Sequence, residues 1–427
     1  MEQGRLRALL PIGVFLVSFL GMGIISGDFN HMPTVVGFLL ALMTAFFQNR
    51  SLNFDEKIKV ITKGVGDENI ITMCLIFLAA GGFSGAVKAA GGADSTVNFC
   101  LSILPSSVAV MGLMLIGCFI SLSMGTSMGT IAALAPIAVG ISEKTGFPMA
   151  LCIGAVVSGA MFGDNLSMIS DTTIAAVKTQ GCEMKDKFKA NFLIVLPAAV
   201  VSLLVFFLIT RQADYTLDAE LEYNLLQIVP YLVVLVGALI GFNVFLVLIS
   251  GTVLSLIVGA ATGTIEPLGI FSAVGEGVTG MYDITVISLL VACVVALMRE
   301  YGGISYILQF IRKRIRGQKG AQLGIALLAL LVDMTTANNT VAIVIAGPIA
   351  KEIGNEYGIE PKRTASLLDI FASVGQGLLP YGAQLLLAAE ATKLAPFQIM
   401  PYLFYPWMMG VSALFFIVFG KNRKKTA

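Results

Sequence analysis

The sequence predicts an all-α, polytopic membrane protein of about 10–12 spans, built as two inverted repeats that each carry a broken helix and a re-entrant hairpin. Three observations carry that prediction: an apolar composition, a ladder of span-length apolar runs, and an internal repeat at an offset of 210–213 residues. Of 427 residues, 57% are apolar and 12% charged, about half the ~25% charge of a soluble domain. Mean hydropathy is +0.89. So little charge cannot cover a soluble surface, which excludes a soluble enzyme and a disordered chain. Lys and Arg number 27 against 26 Asp and Glu, a net charge of +1, so nothing draws the chain to a nucleic acid.

Crossing a bilayer takes ~20 predominantly apolar residues. Such runs lie at 9–27, 33–49, 70–90, 98–122, 190–210, 225–241, 243–262, 283–299, 320–332 with its continuation, and 397–420. Stretches 123–178 and 333–392 are apolar too, but Gly, Pro, Ser, Thr and Asp interrupt them, which predicts broken helices and short hairpins. Arg5 and Arg7 precede the first run in the manner of a signal peptide, yet no small-x-small site follows, so the run stays a span. The 45 glycines let membrane helices approach closely and break. Cys74, Cys100, Cys118, Cys152, Cys182 and Cys293 form no C-x-x-C pair and read as small packing residues. His31 is the one histidine, which speaks against a His-based metal site or triad.

Basic loops face the cytoplasm. They are Arg5 and Arg7; Arg50 with Lys57, Lys59 and Lys63; Lys178 with Lys185, Lys187 and Lys189; the cluster Arg312 to Lys319, a positive-inside anchor; and the tail from Lys421. The connector 212–224 holds Asp214, Asp218, Glu220 and Glu222 without Lys or Arg and is expected outside. This gives a first repeat at 1–211, an extracytoplasmic acidic connector at 212–224, a second repeat at 225–420 and a basic cytoplasmic tail at 421–427. Both termini would be cytoplasmic and the protein multi-pass in the cell membrane. The repeat shows in Gly64-Val65, Ile71-Thr72 and Gly91-Gly92 against Gly277-Val278, Ile284-Thr285 and Gly302-Gly303. It continues in Met124 to Thr130 against Met334 to Thr340, and in Pro136-Ile137-Ala138 against Pro348-Ile349-Ala350. The basic loop 57–63 corresponds to one holding Glu266 and Glu276, so matching loops fall on opposite sides. Alternating-access carriers are often built this way.

A charge inside a span costs at least ~2.5–3.5 kcal/mol on the insertion scale, so each is a candidate for function. Asp164, Asp171, Asp333 and Asp369 stand out. If 163–173 is helical, Asp164, Ser167 and Asp171 share one face, and with Asn165 and Thr172 they offer hard oxygens to Na⁺ or a proton. Ser123, Thr126, Ser127 and Thr130 occupy one helix-breaking run, and Asp333, Thr336, Asn338, Asn339 and Thr340 the matching one. Unwound backbone there would expose carbonyls to a cation and leave half-helix N-termini facing an anion. Gln376, Tyr381 and Gln384 lie at the second-half position of the Asp164 segment, where they bond a substrate or close a turn; both readings stand. Asp369 is either a proton carrier or an acid neutralised by Arg363.

The run Phe162-Gly163-Asp164-Asn165-Leu166-Ser167-Met168-Ile169-Ser170-Asp171-Thr172-Thr173 resembles the F-G-D-x-x-S-P-x-S-D-T-T motif of the NhaC-type sodium/proton antiporter family. That family includes the sodium-coupled malate/lactate antiporters and belongs to the larger ion transporter superfamily. Gly125 to Thr130 is similar to its G-T-S-x-G-T, and the likeness extends over nearly the whole chain. The motif's Pro is Met168 here, which shifts or softens the local helix break. The resemblance implies inverted repeats around central sites and a cation-coupled carrier, not an enzyme, with no cofactor beyond Na⁺ and H⁺.

The expected mechanism is exchange in which Na⁺ and H⁺ compete for Asp164 or Asp171, with Asp333 as the other half's contribution. The alternative is a Na⁺- or H⁺-coupled carrier of a small organic anion or amino acid bound at 123–130 and 335–340. Gly64-Val65-Gly66-Asp67 and Tyr282-Asp283 also look like pieces of presenilin-like intramembrane proteases, in reversed order. Membrane lipid, Na⁺ and H⁺ are the expected partners, with no nucleic acid. A homodimer stays compatible, because interface and lipid-facing apolar area read alike.

Overall fold

The computed structural model describes residues 4–26, 32–49, 51–103, 106–168, 170–211, 222–240 and 242–420. His31, residues 212–221 of the acidic connector, the basic tail 421–427 and the side chain of Ser123 lie outside the described residues. Among those described there are helices and no strand, so the chain is an all-α, polytopic membrane protein.

Helices α1 to α10 are Leu10–Ser26, Thr34–Gln48, Phe54–Val65, Glu68–Ala89, Gly92–Ile103, Ser106–Met124, Ser127–Thr145, Met149–Leu166, Asp171–Gln180 and Met184–Thr210. Helices α11 to α21 are Leu225–Ile240, Val244–Thr262, Ile270–Thr279, Tyr282–Glu300, Gly303–Arg312, Gly317–Thr336, Asn339–Glu356, Pro361–Leu378, Ala383–Thr392, Pro396–Ile399 and Phe404–Phe419. Among the described residues, six helical stretches are long and apolar enough to cross a membrane, eight if each of two bent pairs is one span. Four shorter apolar helices stand between that number and the 10–12 expected.

The two series follow the same succession, and their breaks have the same conformation. Gly125 ends α6 at φ +69°, and Ala337 ends α16 at φ +50°, both left-handed. Thr126 then caps α7 by accepting from Gly129 N–H, as Asn338 caps α17 by accepting from Val341 N–H at 3.0 Å. A second pair of breaks follows α8 and α18, where Ser167 and Leu379 turn extended. Cross-packing is reciprocal: α7 lies on α19 and α17 on α9, while α3 lies on α14 and α13 on α4. The two spans that contain these second breaks, Met149–Gln180 and Pro361–Thr392, are 83% and 94% buried over their apolar stretch, against 33% for Met184–Thr210. The broken helices therefore form the centre and the unbroken ones the jacket.

Small residues set the depth of that centre. Gly159 and Gly163, one turn apart on α8, face α6; a Cβ at Gly163 would lie 2.5 Å from Cys118 O and from Leu122 N. Ser121 Oγ donates to Ala160 O at 2.5 Å across the same contact. Without side chains between them the backbones meet directly, and van der Waals contact replaces the hydrophobic drive that lipid does not provide. Gly112 on α6 has open space where a Cβ would go. We therefore expect Gly163→Val to lower the melting temperature of purified protein by several degrees, an overpacking cost of about 1–3 kcal/mol, and Gly112→Ala to leave it unchanged. Equal effects in a thermal-unfolding series would contradict this packing.

Candidate functional site

Helix α8 ends two residues after Asp164, and the chain runs extended at Ser167 (ψ 133°) and at Ser170 (ψ 137°) before α9 begins. Asp164, Ser167 and Asp171 therefore share no helix face, and the expectation that they form one Na⁺ cage is corrected. Asp164 points inward, Ser167 is 1% exposed and Asp171 faces out. Two extended serines break the helical spacing that would have aligned them. Asp171 is not brought to the other acids.

The partly buried Asp164 carboxylate sits at the N-terminus of α7. Ser127 Oγ donates to its Oδ2 at 2.8 Å, with Ser127 N–H at 3.4 Å, and Ser170 Oγ donates to its Oδ1 at 2.6 Å. A helix N-terminus presents unsatisfied N–H groups and a positive dipole end, both of which favour an anion. Ser170 Oγ also lies 2.9 Å from Thr172 Oγ1. From Ser127 the polar line enters the second half: Gln384 Nε2 donates to Ser127 Oγ at 3.1 Å. The Gln376 amide reaches Gln384 Oε1 at 2.9 Å in one orientation and Asp333 Oδ1 at 3.3 Å in the other. Ser127 and Gln384 thus connect Asp164 to the second half, where the Gln376 amide turns its NH₂ either to Gln384 or to Asp333.

Asp333 is fully buried, and its Oδ2 has no hydrogen-bond partner among the described residues. Its own carbonyl accepts from Ala337 N–H at 2.7 Å, which closes the left-handed turn. Several neighbours serve local structure. Thr130 bonds back to Thr126 O, Thr336 to Asp333 O and Asn338 O, and Asn339 Oδ1 accepts from Thr340 N–H. Tyr381 donates to Met334 O at 2.6 Å and packs edge-on against Phe15 and Phe38, closing the second-half turn.

Asp369 is not neutralised by Arg363, whose Nε donates to Gln322. Its partner is Lys187, 2.7 Å from Asp369 Oδ2, with side chains 1% and 0% exposed. Lys187 reads as part of a cytoplasmic basic loop in the sequence; Lys185 and Lys189 are indeed exposed, but Lys187 turns inward on the first turns of α10. Asn191 lies on the same face and donates to Asp369 Oδ2 at 2.7 Å. Asn165 belongs to this side of the centre, with Nδ2 on Ser373 and Oδ1 accepting from Tyr405. A signal for Lys187 does exist: it and Asn191 are spaced i, i+4 at the head of a long apolar run, and that pairing puts both on one face.

A cleft of about 400 Å³ is lined by Thr336, Asn338 and Val341 together with Lys63, Asp67, Arg299 and Glu300. Asp283 lines a different cleft with Pro33 and Lys393. Asp67 and Asp283 thus line separate clefts, whereas an aspartyl protease pairs its two acids in one.

A central pair of broken spans, with Asp164 at the break of the first and Gln376 at that of the second, inside a jacket of apolar spans, defines a secondary transporter of the multi-pass membrane class. The Na⁺/H⁺ antiporter family model matches residues 6–208 and 218–421, and the chain belongs to that family. It is 20% identical to the malate-2H⁺/Na⁺-lactate antiporter of Bacillus subtilis (strain 168), over 99% of this chain and 97% of that protein. It is 22% identical to the Na⁺/H⁺ antiporter NhaC of Alkalihalophilus pseudofirmus, over 96% and 94%. To the arginine/ornithine antiporter ArcD of Halobacterium salinarum it is 22% identical, over 93% and 88%. The protein is an antiporter and not an enzyme, with Na⁺ and H⁺ as its family's coupling ions.

Gly375 on α18 passes so close to Asp333 that a Cβ there would lie 2.5 Å from its Oδ2. Gly375→Ala should therefore destabilise the wild type by about 1–3 kcal/mol and cost much less in an Asp333→Ala background. Additive effects in that double-mutant cycle, read by thermal unfolding, would show that the two groups do not touch.

Proposed function

We propose that the protein exchanges Na⁺ for H⁺ by alternating access, with Asp164 as the carboxylate for which the two cations compete. One observation carries this reading: Asp164 sits at a helix break and is held by two hydroxyls and an N–H rather than by a basic side chain. Its negative charge is left for a mobile cation to balance. A carboxylate away from bulk water takes a proton or a metal ion but not both, so competition alone couples the two fluxes. Hydroxyl and carboxylate oxygens are the hard donors Na⁺ accepts. Asp333 is the second half's contribution, with the Gln376 amide in reach of it and Gln384 bonded to Ser127 beside Asp164.

In this reading 1–211 and 225–420 are inverted repeats in the cell membrane, with the acidic connector outside and both termini cytoplasmic. Matching caps at Thr126 and Asn338 and reciprocal packing of α7 on α19 and α17 on α9 support it. A half-helix N-terminus that changes partner between the halves would open the site to either face in turn.

A second reading, coupled exchange of a small carboxylate or amino acid, rests on the 400 Å³ cleft that Asn338 lines together with Lys63 and Arg299. The names of the malate/lactate and arginine/ornithine relatives accord with it. Solute-dependent thermal stabilisation in Na⁺ separates the two, since the leading reading needs Na⁺ alone.

In proteoliposomes with an internal pH probe, Asp164→Asn should reduce Na⁺-dependent proton movement to that of empty vesicles; surviving wild-type turnover would reject the assignment. Competition also sets a pH dependence. As pH falls on the Na⁺ side, the apparent KM for Na⁺ should rise while the maximal rate at saturating Na⁺ stays constant. A KM indifferent to pH would rule out a shared site.

A further inference from the structure

We propose that Asp369 heads a second cation position whose resident cation in this conformation is the Lys187 ammonium, and that a free monovalent metal ion takes the same oxygens when that ammonium is gone. Lys187 Nζ has three protons to donate and three oxygens in reach: Asp369 Oδ2 at 2.7 Å, Thr173 Oγ1 at 2.6 Å and Asn165 O at 3.1 Å. These are a carboxylate, a hydroxyl and a peptide carbonyl, the donor types that hard cations select. They come from α18, α9 and the end of α8, so the cage is assembled by the fold and not by one local turn. Asn191 Nδ2 donates to Asp369 Oδ2 at 2.7 Å and to Asn165 O at 3.1 Å, holding the cage from the side.

The cluster also holds more oxygen than it has donors to satisfy. Asp369 Oδ1 and Asn191 Oδ1 are both buried without a hydrogen-bond partner among the described residues. An apolar or purely structural pair has no use for surplus acceptors, whereas a site that trades one cation for another does. The charge balances: one ammonium leaves and one monovalent ion enters, so the buried net charge is unchanged. Lys187 thereby acts as a tethered competitor. Because Asn165 and Thr173 flank the first-half break and Asp369 lies in the second half, cation exchange here would loosen the contact between the halves.

The test uses the full chain in detergent, in the Asp164→Asn background, so that binding at Asp164 contributes nothing and the proposal stands apart from the Na⁺/H⁺ reading. Lys187→Met removes the ammonium and keeps the apolar stem, with Lys187→Gln as the second variant if yield is low. Melting temperature is compared in NaCl and in choline chloride at equal ionic strength, alongside ²²Na⁺ binding. The expected result is a saturable upward shift in melting temperature with Na⁺, matched by new ²²Na⁺ binding, both abolished by adding Asp369→Asn. Recovery of folded Lys187→Met protein from NaCl but not from choline chloride would support the proposal equally. No Na⁺-specific gain, a gain that survives Asp369→Asn, or folding regained only by adding Asp369→Asn would overturn it.

Discussion

A carboxylate set deep in an apolar bundle has to find its partners within the protein, and the centre of this molecule is arranged around how three acids do so. Asp164 takes hydroxyls and a helix N-terminus. Asp369 takes an ammonium and an amide. Asp333 has one amide in reach and one bare oxygen. Asp369 is paired with an ammonium, whereas the described contacts of Asp164 and Asp333 include no basic side chain.

Helix breaks make these solutions available. An unbroken helix buries its backbone groups in itself and offers the acid nothing. Ending α6 at Gly125 and α16 at Ala337 frees N–H groups at the starts of α7 and α17, where Ser127 N–H meets Asp164 and Val341 N–H meets its cap Asn338. The close approach of α8 to α6 through Gly159 and Gly163 then fixes where along the bundle Asp164 lies. The two halves share this architecture but not their acids. The position in α18 that matches Asp164 holds Gln376, and Asp333 stands where the first half has Ser121 to Ser123. Similar scaffolds thus present one anionic and one amide break.

Most of the fold is legible in the sequence because its signals are local. Span-length apolar runs, the Gly125-Thr126 break and the repeat offset each depend on few residues. The break after Leu166 is legible as a break but not in its geometry. The spacing of Asp164, Ser167 and Asp171 fits a helix face as well as it fits a turn, and with Met168 in place of Pro no residue there forbids the helix. Tertiary contacts decide the matter, with Ser170 drawn onto Asp164. Lys187 stays hidden for a related reason: positive-inside counting treats a loop's cations as equivalent, while helical phase turns one of three inward. The protease-like fragments around Asp67 and Asp283 fall in separate clefts, a placement that no local pattern encodes.

The central claim is that Na⁺ and a proton displace one another at Asp164. The most direct measurement is the proton balance on adding Na⁺ to lightly buffered, detergent-solubilised protein near neutral pH. The account predicts proton release that saturates with Na⁺ binding and disappears in Asp164→Asn. Na⁺ binding without proton release, or undiminished release from that variant, would contradict it.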